Sequence, residues 1–336
     1  MSQILDGTDP QAISTAAALL RAGEVVAFPT ETVYGLGTNA LDERAVAQVF
    51  AIKNRPHFDP LIVHVADEKA VALYATDIDE RAKVLMERFW PGPLTLVLRK
   101  RPNIPDLVTA GLDTVAIRVP AHPVALALLR AAQVPVAAPS ANPFGYVSPT
   151  TALHVEELLG DSIPLILDGG PCVVGVESTV CALTEQQAVI LRLGGVAIED
   201  IEAVIGPVAF VSPMQADARS PGTLLSHYAP HVKLRLLASG EPIPYVSEAE
   251  RVGLLLLQPR LDVSGYVVTE VLSQNGNLTE AAANLFAALR RLDAAGLDYV
   301  TVEPVPEHGL GRAIMDRLRR AATRMRRAGN PPNFVL

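Results

Sequence analysis

Along the chain, short apolar runs alternate with stretches of helical spacing. "EVVAF", "LIVHV", "LTLVL", "TVAIRV", "VPVAA", "IPLILD", "STVCAL" and "AVILRL" are rich in β-branched residues and bounded by turn residues, so they predict strands. The first helix is predicted from Asp9 as cap, Pro10 in the first turn, apolar positions through Leu19 and Leu20, and Gly23 as stop. In residues 42–53 Ala45, Val46, Val49, Phe50 and Ile52 share one helical face. Residues 78–89 predict another helix, closed by "WPGP". Many strands with helices between them predict a mixed α/β domain.

The rhythm breaks after about residue 205. "GPVAFVSPMQADARSPGTLLSHYAPH" is polar, punctuated by proline and without periodicity, so it reads as a linker. Beyond it "VKLRLL", "RVGLLLL", "GYVVTEVL" and "DYVTVEPV" predict strands. A helix lies among them, with Asn277 and Glu280 at capping-box spacing and Gly296 at its end. A last helix starts near Gly311. The expected organisation is a mixed α/β domain over 1–205, a linker over 206–231, and a small α/β domain with a largely parallel sheet over 232–336.

Composition narrows the function. The chain has 336 residues, enough for two domains, and 49% are hydrophobic but only 5% aromatic, as in an α/β enzyme. A formal charge of -8 argues against coating nucleic acid by bulk electrostatics. Cys172 and Cys181 make neither a disulfide framework nor a zinc site. No signal peptide or membrane-spanning run is read, so a soluble cytoplasmic protein is expected.

Several sites are excluded. There is no Gly-Lys dipeptide and hence no Walker A loop, and no H-E-x-x-H or G-x-S-x-G. His227 and His231 are separated by a register that Pro230 spoils for a helical metal pair. "GLGTNA" matches the dinucleotide fingerprint, but Asp59 precedes the next strand instead of ending it.

What remains is a distribution of cations and hydroxyls at strand ends. Thr30, Glu31, Thr32 and Tyr34 follow "EVVAF", and Gly35 and Gly37 allow close approach or positive φ. Lys53 and Arg55 flank Asn54 where a helix gives way to a loop. Thr114, Ala116 and Arg118 share one strand face, and Arg192 sits in an apolar strand. An arginine so placed meets either a ligand anion or a structural carboxylate. Ser140 and Asn142, Ser148 before a helix near Thr150, and Ser178 with Thr179 are turns, caps or ligand contacts. Together they suggest one anionic, polyoxygenated ligand.

"FPTETVYGLG", "KNRP…PLIVHV", "WPGPLTLVL", "TVAIRVP", "APSAN…SPT", "ESTV" and "ILRLGG" resemble successive blocks of the threonylcarbamoyl-AMP synthases, the YrdC-like domain family. "SPGTLLSHYAP" and "GLGRAIMDRLRRAA" resemble the linker and the C-terminal end of the two-domain members. The resemblance implies a twisted mixed-sheet YrdC-like domain with a deep cavity, followed by a smaller Rossmann-like domain. It implies that L-threonine, bicarbonate or CO2, and ATP with Mg²⁺ give threonylcarbamoyl-adenylate and pyrophosphate. A separate threonylcarbamoyl transferase would then modify tRNA. Carried over by resemblance, Thr32, Tyr34, His64, Arg118, Ala138 and Ser178 hold threonine. Arg55, Asp59, Thr114, Ser140, Asn142, Ser148, Arg192 and Tyr228 hold ATP, with Lys53 and Arg55 catalytic and the metal not held by protein side chains alone.

Asp59, Phe144 and Leu193 depart from the family's pattern. The linker is expected to act as a lid. The alternative reading is an RNA-binding module, because residues 309–329 carry seven arginines against one aspartate.

Overall fold

The computed structural model describes residues 2–210, 228–247, 249–261 and 263–323. In chain order the strands of the first unit begin with Gln3–Asp6 (β1), Val26–Phe28 (β2), Gly35–Asn39 (β3), Ile62–His64 (β4), Ala75–Thr76 (β5) and Leu94–Lys100 (β6). They continue with Thr114–Arg118 (β7), Val136–Ala137 (β8), Leu165–Asp168 (β9), Thr179–Leu183 (β10), Ala188–Arg192 (β11) and Ala209–Phe210 (β12). The helices are Pro10–Arg21 (α1), Glu43–Lys53 (α2), Glu80–Phe89 (α3), Asp106–Thr109 (α4), Pro123–Ala132 (α5), Ala152–Leu159 (α6) and Ile198–Ile205 (α7).

All twelve strands join one mixed sheet in the order β1-β9-β2-β3-β8-β4-β7-β6-β10-β11-β12, with β5 on β6. Asp9, the predicted cap, accepts a backbone N–H bond at the first turn of α1, and Asp42 and Asp79 cap α2 and α3 in the same way. β1, β3, β5, β12, α4, α5 and α7 add to the predicted set. β1 is four residues with exposed ends, too short to show a period, and exists because it docks parallel on β9.

The second unit contains Lys233–Leu236 (β13), Val252–Leu256 (β14), Val268–Val271 (β15), Leu278–Ala294 (α8), Tyr299–Val302 (β16) and Gly311–Ala322 (α9). Its sheet runs β13-β16-β14-β15, parallel throughout. The continuous burial of β14 is what a parallel strand covered on both faces requires.

The two units share a core. Val33, Val147, Val176 and Tyr228 pack in the same cluster as Leu285, Phe286 and Leu289 of α8 and Leu318 of α9. Polar contacts tie the seam: Arg290 Nη2 donates to Val147 O (2.7 Å), and Tyr146 Oη donates to Asp293 Oδ2 (2.6 Å).

That seam corrects the expected basic face of the last helix. Arg317 and Arg320 are buried, while Arg312 pairs with Glu199 and Arg319 with Glu307. Of the four described arginines of α9, two are thus buried and two are held in exposed ion pairs. Residues 211–227, which hold the expected lid up to His227, lie outside the described residues. Among the described residues no helix is long and apolar enough to cross a membrane.

Candidate active site

Strand pairing brings the candidate groups together from distant parts of the chain. β4 lies parallel to β7 with His64 opposite Arg118, and Gly35 bridges Ser140. β10 and β11 put Arg192 opposite Val180, two residues beyond Ser178. The result is a cavity of about 540 Å³ when its open mouth is counted. Thr32, Arg55, His64, Arg118, Ala138, Ser140, Ser178, Arg192 and Tyr228 all line it, joined by Thr30 and Glu177.

The loop after β2 is held by its hydroxyls. Thr30 Oγ1 donates to Val33 O (2.6 Å) and lies 2.8 Å from Thr32 Oγ1. Gly37 is needed for close approach and not for positive φ: a Cβ there would lie 2.6 Å from the Phe28 ring and 2.7 Å from Val136.

Arg118 is buried and almost fully engaged. Its Nε donates to Gly92 O of the "WPGP" turn (3.1 Å), and Nη1 donates to Thr32 Oγ1 (2.9 Å). Nη2 lies 2.6 Å from Glu31 Oε1, charge against charge but off the hydrogen-bonding direction. Of the two readings open for this arginine, the structure contains the carboxylate one, and the guanidinium still reaches the cavity wall.

Arg192 wraps Ser178: Nε and Nη2 donate to its carbonyl (3.1 and 2.9 Å), and Nη2 also donates to its Oγ (3.0 Å). Ser178 Oγ lies 2.7 Å from Thr95 Oγ1. Arg55 pairs with Asp59 (2.9 Å), donates to Pro60 O (2.9 Å) and has its guanidinium 5.9 Å from the centre of the Phe144 ring. Two departures from the family's pattern thus share one partner. The Asp59 charge is neutralised within the wall, and Phe144 covers the arginine's face.

Six predicted contacts do not line the cavity. Tyr34 is fully buried, and its hydroxyl donates to Gly170 O (2.8 Å), away from the site. Burial raises its pKa well above the usual phenol value. Lys53 is also buried; its ammonium donates to Ser140 O (2.5 Å) and to Asn142 O, and burial first, then the Arg55 charge, lowers its pKa well below normal. Its ammonium therefore anchors the 140–142 loop, and its side chain does not line the cavity. Asn142 donates to Pro143 O and Tyr146 O, Ser148 donates to Glu177 Oε1 (2.6 Å), and Asp59 lies behind Arg55. Thr114 begins β7, four residues below Arg118. The helix expected near Thr150 is α6, and its first turn is capped by Thr151.

Glu177 escaped sequence reading. An acid before "STV" looks like a solvated strand end, yet this one is buried between Ser148 and Arg317 of the second unit (2.8 Å). Only an element more than a hundred residues away could mark it.

His64 is buried with Nδ1 unpartnered. Burial, and after it the Arg118 charge, pushes its pKa from 6.5 down to about 3. It is an uncharged imidazole at neutral pH. Between those values the unfolded chain binds a proton that the fold refuses, so stability falls as pH falls. From pH 7 to pH 4.5 this group is expected to remove about 2–3 kcal/mol, a loss absent in His64→Asn. Urea midpoints at both pH values check this; identical pH dependence in the two proteins would mean that the fold accepts the proton.

Glu31, Asp59 and Glu177 are each paired with an arginine, at 2.6, 2.9 and 2.8 Å. Among the described residues no three His, Cys, Asp or Glu side chains converge.

Residues 18–194 match the family described as Telomere recombination, and residues 196–323 match the one described as Threonylcarbamoyl-AMP synthase, C-terminal domain. A threonylcarbamoyl-AMP synthase of Pyrococcus abyssi is 44% identical over 324 residues, covering 92% of this chain and 94% of the relative. One from Bacillus subtilis is 45% identical over 328 residues, covering 95% and 94%. The crystal structure of P. abyssi Sua5 complexed with L-threonine superposes with a TM-score of 0.87 at 41% identity, covering 96% of this chain and 98% of that one. With relatives matched along almost their whole length and both halves of the architecture accounted for, the protein is an enzyme of the threonylcarbamoyl-AMP synthase family, in its two-domain form.

Proposed function

We propose that this enzyme joins L-threonine, CO2 derived from bicarbonate, and ATP into L-threonylcarbamoyl-adenylate with release of pyrophosphate. What supports the reading is a cavity lined by Arg55, Arg118 and Arg192 together with neutral His64 and the hydroxyls of Thr32, Ser140 and Ser178, in a chain 41% identical to a relative solved with L-threonine. Threonine rests against Thr32, His64, Arg118, the Ala138 main chain and Ser178. Because the Ala138 N–H already donates to Ile62 O (3.0 Å), only its carbonyl and methyl are left for the ligand. ATP lies toward Arg55, Ser140, Arg192 and Tyr228. Asp59, Asn142, Ser148 and Lys53 shape that side from behind, and Thr114 supports it from the start of β7.

The chemistry asks for position and charge, not for a protein nucleophile. The threonine ammonium releases one proton to solvent, the amine nitrogen adds to CO2 to form an N–C bond, and loss of a second proton from that nitrogen to solvent leaves the carbamate. A carbamate oxygen then attacks the α-phosphorus of ATP. The bond from that phosphorus to the bridging oxygen breaks, and pyrophosphate leaves with the electron pair. Holding the three reactants in line, with arginines on the developing phosphate charge, supplies the acceleration. Burial keeps water from the mixed anhydride. Mg²⁺ enters as part of the nucleotide substrate, bound by phosphate oxygens, since the wall's carboxylates are already paired. The adenylate is passed in the cytoplasm to a separate transferase that acts on tRNA, and no direct tRNA contact is needed here.

Pyrophosphate release is expected only when threonine, bicarbonate and MgATP are all present. Radiolabelled bicarbonate should appear in the adenylate. Equal release from solutions stripped of CO2 would sink the carbamate-first order.

A further inference from the structure

We infer that the second domain sets the charge of the cavity wall from behind: Arg317 of α9 cancels the charge of Glu177 and so keeps the site attractive to a polyanion. The geometry is direct. Glu177 lines the cavity and is 6% exposed, so its charge cannot be dissipated by solvent. Ser148 Oγ donates to one carboxylate oxygen (2.6 Å) and Arg317 Nε to the other (2.8 Å).

Arg317 has no accessible surface on its side chain, and its other nitrogens are also committed. Nη2 donates to Leu193 O (2.8 Å), beside Arg192, and Nη1 donates to Asp316 Oδ2 (2.6 Å). The guanidinium lies 4.7 Å from the centre of the Tyr228 ring, itself part of the cavity lining. Asp316 also holds Arg320 Nε (2.9 Å).

The quartet of Arg317, Arg320, Asp316 and Glu177 is therefore formally neutral. Take Arg317 away and one negative charge remains at the cavity surface, in a medium that screens poorly. A nucleoside triphosphate carries several negative charges and would be repelled strongly. Threonine is a zwitterion of zero net charge and would be affected much less. Arg317 thus acts through Glu177 as a positioning and charge-setting residue, and it touches neither substrate. Taking the polyanion to be ATP rests on the function proposed above.

The test uses full-length protein and calorimetric titration with MgATP and, separately, threonine. Arg317→Met is expected to weaken MgATP binding about 10- to 100-fold while threonine affinity changes by less than about threefold. Adding Glu177→Gln to that variant should restore MgATP affinity to within about threefold of wild type, because the stranded charge is gone. A double variant that binds as poorly as Arg317→Met would overturn the inference and leave Arg317 a packing residue. If Arg317→Met does not fold, Glu177→Gln alone decides the matter. It should bind MgATP at least about threefold more tightly at low salt, and unchanged affinity overturns the idea. These titrations need no turnover: wild type that binds MgATP yet makes no adenylate would sink the proposed reaction, not the charge argument.

Discussion

Arg118→Ala is expected to lose roughly 2–5 kcal/mol of threonine affinity, mostly because the substrate carboxylate would enter a desolvated pocket with no cation to meet it. ATP affinity should change far less. The structure adds a second consequence. Glu31 is buried, its carboxylate oxygens make no hydrogen bond, and Arg118 is the cation beside it. Removing the arginine strands that charge, a loss of about 3–5 kcal/mol in stability. The two effects separate in Arg118→Ala/Glu31→Gln, which should recover the stability and not the threonine binding. Calorimetry and urea unfolding on both variants read the outcome. Normal threonine affinity in the folded double variant would remove Arg118 from the ligand and leave it a structural ion pair.

Gly194→Ala is expected to be at least as damaging, although alanine is the smallest possible addition. A Cβ at this position would lie 2.3 Å from Glu177 O, 2.3 Å from Ser178 C and 2.4 Å from Thr179 N. All three are main-chain atoms, so no rotamer change relieves the clash. The backbone that must move carries Ser178, its wrap by Arg192, and the Gly195 N–H bond to Glu177 O (2.9 Å). A stability loss of about 3 kcal/mol or more is expected, at the upper end for overpacking. Adenylate formation should drop by about 100-fold or more, because displacement of about 1 Å at a positioned site has that cost. Denaturation midpoint and pyrophosphate release measure the two, and an alanine variant equal to wild type in both would show that the strands at Glu177–Thr179 have slack.

The strand-end chemistry was readable because it obeys local rules. Arg118 and Arg192 stood in apolar strands, where a guanidinium must find an anion, and both reach the cavity. The cap at Asp9 follows from backbone donors that need an acceptor. Direction was less legible. Tyr34 shares its segment with Thr32 yet turns to Gly170, and Lys53 spends its ammonium on two carbonyls of a loop almost ninety residues away.

By itself, then, the sequence determined the two α/β units, most strands and helix starts, and the set of cations and hydroxyls from which the cavity is made. Each of these depends on interactions within a few residues: period, propensity and capping. Only the tertiary structure decided which charge meets which. Glu31 with Arg118 and Glu177 with Arg317 are choices of partner. Both join positions far apart in the chain, and the second crosses between domains. The physical reason is desolvation: a buried charge must be met, but local sequence does not say which distant opposite charge the fold will bring to it.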